Sequence, residues 1–254
     1  DGNVSYFPLS TTKGSFVHKA LNYLVMNSNE RAIAFSKNIK SIVDEYKPDI
    51  VHVWGIELQY AAVIPMLDVP FVVHIQGLLS LYRYVYMPAG ISLKDIKYCD
   101  SWWNPFTWWK KILHGTEYDK YKSFEDRAER EIFVSKYIKN WIGRTDWDYM
   151  ASKMLSVNSN YYHCDELMRS DFQTEKWEYH YDGKIIRIHS SISATWYKGI
   201  DVILKTANLM KSLNYEIEWN VYGIDENNDI LKFIVKRLKI KPKNYGVHFK
   251  GRVD

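Results

Sequence analysis

The chain has 254 residues, of which 46% are hydrophobic and 25% are charged, and it contains only 12 glycines and 7 prolines. These fractions exclude a disordered, collagenous or low-complexity protein, and they fit one large globular domain or two smaller ones. The net charge of +4 arises from 34 basic and 30 acidic residues, interleaved over most of the length. This charge is too mild for nucleic-acid binding across the whole surface.

The cysteine content and the chain ends bear on location and completeness. Cys99 and Cys164 are far apart and form no CxxC motif. They indicate neither a disulfide framework nor a zinc site, so we expect a reducing, cytoplasmic location. The chain opens without Met and stops directly after a strand-like segment, so we expect a fragment of a longer protein.

The first part of the chain alternates helical and strand-like segments. A helix is predicted before Pro48, with one apolar face. That face carries Ala32, Phe35, Ile39, Ile42 and Tyr46. Strands are predicted at 49–54 and 71–76, separated by a short helix at 57–67. Both strands are nearly continuous apolar runs, which is typical of strands covered on both faces, and this order predicts a parallel α/β sheet.

A tryptophan cluster interrupts this alternation. It consists of Trp102, Trp103, Trp108 and Trp109, and two lysines follow it directly. In a functional interpretation, the rings stack on an acceptor sugar or lie in a membrane interface. In a structural interpretation, they pack a long loop onto the sheet. Both interpretations stay open, because no periodicity decides between them.

A second alternating region follows. A charged helix is predicted at 118–140 and a short strand at 141–143. From residue 184 the predicted elements are strand 184–189, helix 198–213, strand 216–222, helix 229–239 and strand 246–250. The sequence therefore predicts two incomplete domains, 1–175 and 176–254, with the polar stretch 171–183 as their boundary.

A DxD sequence occurs at Asp146 and Asp148. In other proteins, a DxD motif supplies carboxylates to a metal ion that binds a nucleotide diphosphate. Thr145 followed three residues later by Asp148 is also a capping box that begins a helix. We favour the capping interpretation and predict no metal there.

A basic segment occupies the C-terminal part of the chain. Its members are Lys232, Lys236, Arg237, Lys239, Lys241, Lys243, Lys250 and Arg252, with no acid between them. A solvated helix face is the preferred interpretation, and a patch for an anionic membrane is the functional alternative.

The turn before Gly199 has the features of a phosphate site. A strand leads into a loop with Ser190 and Ser191, and a helix begins near Lys198. Backbone N–H groups at a helix N-terminus together with one lysine suit a diphosphate. The alternative is an ordinary strand-to-helix turn with a solvated lysine, as occurs in every doubly wound sheet.

Five segments in order resemble motifs of the bacterial family-4 retaining glycosyltransferases, which have the GT-B fold. Residues 47–57 (KPDIVHVWGIE) are similar to the family's PDIIHIWGTE, and residues 73–78 (VHIQGL) to its SIQGL. The other three are residues 142–148 (IGRTDWD), residues 162–169 (YHCDELMR) with the following Phe172 and Trp177, and residues 197–200 (YKGI). Each motif alone is weak, whereas the ordered set is specific.

This resemblance implies two Rossmann-like domains that face a cleft, with the acceptor mainly on the first and the donor on the second. It implies transfer of a sugar, as by a hexosyltransferase, from a nucleotide-sugar to a glycan or lipid-linked acceptor, with retention and without an essential metal or cofactor. Such enzymes build capsule or lipopolysaccharide on the cytoplasmic side of the membrane. The first strand and the last donor-site segment of the family pattern are missing, so we expect this chain alone to be impaired. The alternative is a non-catalytic glycan- or membrane-binding module that uses the tryptophan cluster.

The resemblance also assigns site residues. Gln76 stands where many relatives carry a histidine near the anomeric carbon, and it cannot act as a general base at neutral pH. Gly77 lets backbone approach the sugar. Lys198, with Gly199, matches the lysine that binds the donor phosphate.

Three further assignments complete the expected site. Ser190 and Ser191 stand where the family often has a Gly-Arg pair, so their hydroxyls or backbone N–H groups would substitute for it. Glu57 either reaches the acceptor or serves a helix start. Arg144 either faces the cleft or pairs with a nearby acid such as Asp146 or Asp148.

Overall fold

A computed structural model describes residues 4–7, 9, 28–99, 115–176, 178 and 183–252. These residues form two compact units with a parallel sheet in each. The first unit comprises the described parts of residues 1–83 and 121–167, and the second those of residues 84–120 and 168–254. The fold class expected from the sequence is therefore confirmed as α/β with two Rossmann-like parallel sheets. The predicted domain limit at residue 175 stays a prediction.

Within the described residues, the sheet of the first unit has four parallel strands in the order β1-β2-β3-β4. The strands are β1 (Val51–Trp54), β2 (Phe71–His74), β3 (Asn140–Gly143) and β4 (Asn160–His163). The sheet of the second unit has three parallel strands in the order β5-β6-β7. They are β5 (Ile185–Ser191), β6 (Glu216–Tyr222) and β7 (Val247–Gly251).

The helices of the described residues are numbered in chain order. They are α1 (Ser28–Tyr46), α2 (Leu79–Tyr82), α3 (Leu93–Cys99), α4 (Glu117–Ser135), α5 (Asp146–Leu155), α6 (Ser170–Thr174), α7 (Ile200–Ser212) and α8 (Asp229–Leu238). Four 3-10 helices occupy Gln59–Met66, Arg83–Val85, Trp196–Lys198 and Pro242–Tyr245. None of the helices in the described part of the chain is long and apolar enough to cross a membrane.

Each sheet is held by an apolar core. In the first unit, Trp141 of β3 has no exposed surface and belongs to a buried cluster with Val73, Ile64 and Val134. In the second unit, Val221 of β6 is fully buried. Burial of one large side chain of this kind is worth about 1.5–3 kcal/mol, so these residues fix the sheets that carry the loops described below.

Several predicted elements differ from the observed ones. Strand β4 was not predicted, because its sequence Asn-Tyr-Tyr-His has no apolar run and its residues are largely exposed. The expectation that β1 is covered on both faces is wrong, since Trp54 is 51% exposed. Among the described strands, β1 lies at a sheet edge. The predicted helix at 198–213 begins at Ile200, because Gly199 adopts a left-handed conformation and separates it from a 3-10 helix.

The capping box of α5 is confirmed. The Thr145 hydroxyl accepts a hydrogen bond from the backbone N of Asp148 (3.1 Å). Asp148 Oδ2 in turn accepts from the backbone N of Thr145 (3.1 Å) and of Arg144 (2.9 Å). Both carboxylate contacts lie at the turn that joins β3 to α5. The box therefore fixes the position of Arg144 as well as the start of the helix.

We predict that Thr145→Ala lowers the free energy of unfolding by about 1 kcal/mol, because it removes one half of the capping box. Urea denaturation measures this loss. The matched control is Met150→Ala, which changes a 57% exposed side chain of the same helix. Equal unfolding midpoints for wild type and Thr145→Ala would contradict the assigned role.

Candidate active site

The loops that follow the strands of the first sheet bring polar side chains together. Strands that run parallel place their carboxyl ends at one edge of a sheet, which is where ligands bind in such folds. Glu57 follows β1, Gln76 follows β2, Arg144 follows β3 and Glu166 follows β4. We call these four residues the strand-end cluster.

Glu166 joins two other members of the cluster. Its Oε1 atom accepts a hydrogen bond from Gln76 Nε2 at 2.9 Å and lies 3.0 Å from Arg144 Nη1. Arg144 Nη2 also donates to the carbonyl of Ile75 at 3.4 Å. The guanidinium of Arg144 therefore pairs with Glu166, and the expectation that its partner is a neighbouring acid of the DxD sequence is wrong. Only the backbone N of Arg144 contacts Asp148.

Glu57 lies against two glycines at this edge. A Cβ atom at position 77 would approach Glu57 Oε1 to 3.2 Å, and one at position 55 would collide with Glu57 Oε2. Gly55 also has a φ of +79°, which side chains rarely adopt. Burial raises the pKa of the Glu57 carboxyl, although backbone hydrogen bonds and the charge of Arg127 oppose the shift. Glu57 thus lies beside the loop that carries Gln76 and Gly77.

A second acid, Glu131, forms hydrogen bonds with the residues that follow the same loop. Its carboxylate is fully buried and accepts hydrogen bonds from the backbone N of Leu79 (2.9 Å) and of Ser80 (3.0 Å), and from the Ser80 hydroxyl. Burial raises the pKa of Glu131, and the negative charge of Glu57 raises it further. Glu131 therefore fixes the chain directly after Gly77. Sequence reasoning assigned it no role.

His74 lies at the end of β2, two residues before Gln76. Its ring is 4% exposed and contacts the rings of Trp54 (4.4 Å) and His52 (5.7 Å). Among the described residues, its Nε2 atom has no hydrogen-bond partner. Burial lowers the pKa of His74, and the neighbouring His52 lowers it further. The lowered pKa favours the neutral imidazole, whose buried Nε2 atom makes no hydrogen bond within the described residues.

The second unit carries the predicted phosphate turn. Trp196 is buried, and its Nε1 donates to Glu117 Oε2 at 3.2 Å. Lys198 is exposed, with Nζ 5.4 Å from the centre of the Tyr197 ring. Gly199, with a φ of +79°, precedes α7 and supplies no side-chain cap. The first N–H groups of a helix have no partner within the helix, so the start of α7 presents backbone donors beside one lysine.

The two serines at the end of β5 differ in their surroundings. Ser190 Oγ accepts a hydrogen bond from Trp219 Nε1 of β6 at 3.0 Å. Ser191 is exposed at the last position of β5. Its hydroxyl is therefore the more accessible of the two for a ligand. The roles of both serines stay predictions.

The remaining predicted features have different outcomes. The tryptophan cluster and Trp177 lie outside the described residues. Asp146 and Asp148 stand in the first turn of α5, and no group of three or more metal-ligating side chains occurs within the described ranges. In the basic segment, Lys243 pairs with Glu226 at 3.1 Å, and Arg237 donates to the carbonyl of Gly90 at 3.4 Å.

Comparisons with known proteins give distant structural likenesses. No protein-family model and no curated protein sequence matches the chain. A sucrose-phosphate synthase from Thermosynechococcus elongatus is 13% identical, with a TM-score of 0.49 over 89% of this chain and 51% of that one. A glycosyltransferase from Rickettsia africae ESF-5 is 12% identical, with a TM-score of 0.40 over 95% of this chain and 59% of that one.

This chain thus spans between half and three fifths of the length of the two proteins that it resembles in structure. The sequence identities and TM-scores are too low for the activity of either protein to be assigned to this chain.

We predict that Glu57→Gln removes a pH-dependent loss of stability. Because burial raises the pKa of Glu57, the folded state binds this proton more tightly than the unfolded chain does. The contribution of Glu57 to stability is therefore full below the unfolded pKa and is lost as the pH rises through the raised pKa. The free energy of unfolding of Glu57→Gln, relative to wild type, should increase as the pH rises from below the unfolded pKa through the raised pKa of Glu57.

Urea denaturation at several pH values measures this difference. The matched control, Glu45→Gln, makes the same change at an exposed position of α1. A difference between Glu57→Gln and wild type that stays constant or decreases with pH would show that Glu57 is not held in a desolvated position.

Proposed function

We propose that this chain is part of a retaining glycosyltransferase that moves a sugar from a nucleotide-sugar to a hydroxyl of a glycan or lipid-linked acceptor. One observation carries the proposal. Four of the five segments that resemble the glycosyltransferase motifs supply the strand-end cluster, although they lie up to about 110 residues apart in sequence. Gln76 and Glu166 are hydrogen-bonded across 90 positions. Parallel strands place these loops at one edge, and the contacts of Glu166 with Gln76 and Arg144 then join the polar residues of three of the motifs there.

The second unit supplies the donor chemistry in this proposal. Lys198 and the backbone N–H groups at the start of α7 hold the diphosphate, and Ser191 adds a hydroxyl. A cation and a helix N-terminus both favour negative charge, and that charge grows on the diphosphate as it leaves. The fifth motif, residues 197–200, would therefore stabilise the leaving group, while Gln76 and Gly77 of the first unit would contact the sugar.

The chemical step that we propose is a front-face displacement. The bond between the anomeric carbon and the donor phosphate oxygen breaks, and a bond to the acceptor oxygen forms on the same face of the sugar. The acceptor proton passes to the leaving phosphate oxygen. Gln76 orients a hydroxyl and takes no proton, because an amide is not basic at neutral pH. The nucleotide-sugar is the substrate, and the step uses no resident cofactor or metal.

The wider setting rests on the resemblance alone. We propose that the acceptor belongs to a bacterial surface polysaccharide, such as capsule or lipopolysaccharide, and that the protein acts in the cytoplasm at the inner face of the membrane. The basic segment from Lys232 to Arg252 is the surface that would contact anionic lipid.

We predict that Lys198→Ala in the full-length protein lowers turnover about a hundredfold, since it removes one group that stabilises transition-state charge. The assay is release of nucleoside diphosphate from a panel of nucleotide-sugars. Lys37→Ala, at an exposed position of α1 outside the basic segment, is the matched control and should retain wild-type turnover. Unchanged turnover in Lys198→Ala would remove this residue from the donor site.

A further inference from the structure

The side-chain amide of Gln76 has one orientation that its neighbours allow. A carboxylate only accepts hydrogen bonds, whereas an amide has a donor face and an acceptor face. Gln76 Nε2 lies 2.9 Å from Glu166 Oε1. Rotating the amide by half a turn would place its oxygen against the carboxylate oxygen, and two acceptors repel each other at that distance. Glu166 therefore fixes which atom of Gln76 points away from it.

The atom that points away is Gln76 Oε1. Among the described residues, no donor forms a hydrogen bond with it, whereas one N–H of Nε2 is already used by Glu166. Gln76 is only half-buried, so this oxygen can reach a ligand. The loop after β2 thus presents an oriented hydrogen-bond acceptor that the fold itself does not use.

The charged groups around this acceptor disfavour an anion. The guanidinium of Arg144 is paired with Glu166 at 3.0 Å and also donates to the carbonyl of Ile75. Its positive charge is therefore compensated within the protein, and Glu57 adds a further carboxyl on the other side of the loop. A group that donates a hydrogen bond and carries no negative charge fits this edge, whereas an anion would meet acceptors and an already paired cation.

We propose that Glu166 is a positioning residue that orients Gln76 Oε1 to accept a hydrogen bond from a hydroxyl of a neutral sugar. The nature of the ligand, a saccharide, rests on the proposed function. At this edge of the sheet, a neutral group is favoured over an anionic one because the charge of Arg144 is already paired with Glu166.

The test measures sugar binding to the full-length protein without any nucleotide-sugar. The probes are the methyl α-glycosides of glucose, galactose and mannose, and methyl α-D-glucuronide is the anionic counterpart of the glucoside. Ligand-observed NMR gives the dissociation constants. The variants are Gln76→Leu, Glu166→Leu, which removes the acceptor of the Gln76 hydrogen bond, and the double variant, with Asp165→Asn as the control. Asp165 is an exposed acid one position before Glu166, so the control removes a neighbouring carboxylate outside the cluster.

Each single variant should weaken binding of the preferred glycoside about tenfold, which is the usual effect of losing one oriented hydrogen bond to a polar partner. The double variant should bind no more weakly than the weaker single variant, because Glu166 acts through Gln76. Asp165→Asn should bind as wild type does. Additive losses, equal affinity for the glucuronide and the glucoside, or no saturable binding of any methyl glycoside would each overturn the proposal.

A second measurement keeps the test decisive if a variant is unstable. The side-chain amide signal of Gln76 in the wild-type protein is assigned by its loss in Gln76→Leu. Adding the preferred glycoside should shift this signal, and an unshifted signal under saturating sugar would overturn the proposal. Because neither experiment uses a donor, inactivity toward every nucleotide-sugar would count against the proposed function without altering these results.

Discussion

The common direction of the strands is the constraint on which the candidate site depends. In both sheets every described strand runs parallel to its neighbours, so the loop after each strand of a sheet lies at the same edge. In the first unit the Glu166 carboxylate then links the loops after β2, β3 and β4 through Gln76 and Arg144. Residues that are distant in sequence form a single polar surface because the sheet places their loops side by side. The Glu166 carboxylate then sets the orientation of the Gln76 and Arg144 side chains.

The loop after β2 combines this polar surface with buried acids. Glu131 is fully enclosed and satisfied by backbone and hydroxyl donors, while Glu57 lies against Gly55 and Gly77. Burial raises the pKa of both carboxyls, and the charge of Glu57 raises the pKa of Glu131 further, so both acids work against folding at neutral pH. Glu131 contributes to folding by satisfying backbone donors that an apolar residue would leave unpaired. A second desolvated acid, Glu57, beside the same short loop is typical of a functional site, where local stability is given up for chemistry.

Much of the fold could be predicted from the sequence, because local patterns specify it. The apolar runs predicted β1 and β2, the alternating segments predicted β5 to β7, and Thr145 with Asp148 predicted the start of α5. Strand β4 was missed because Asn160–His163 has neither an apolar run nor regular alternation. Such edge strands are specified by their neighbours in the sheet, here β3, and their own residues carry little signal.

The candidate site was predicted less completely. Gln76, Gly77 and Glu57 were singled out, and the structure brings them together with Arg144. Glu166 and Glu131 were not, because their partners lie 90 and about 50 positions away and no local pattern marks a contact of that range. One signal was present for Glu166, since it lies within the segment 162–169 that resembles a glycosyltransferase motif. The only sequence feature that could have indicated a role for Glu131 was an acidic residue at a core-facing position of helix α4.

Thermal unfolding of the full-length protein with separate nucleoside diphosphates, those of adenine, guanine, uracil, cytosine and thymine, tests the central claim most directly. The claim predicts that at least one of them raises the unfolding temperature, because a ligand that binds only the folded state at a hundred times its dissociation constant contributes about 2.7 kcal/mol. It also predicts that Lys198→Ala abolishes the rise. Stabilisation by none of the five, or a rise that persists unchanged in Lys198→Ala, would contradict the account.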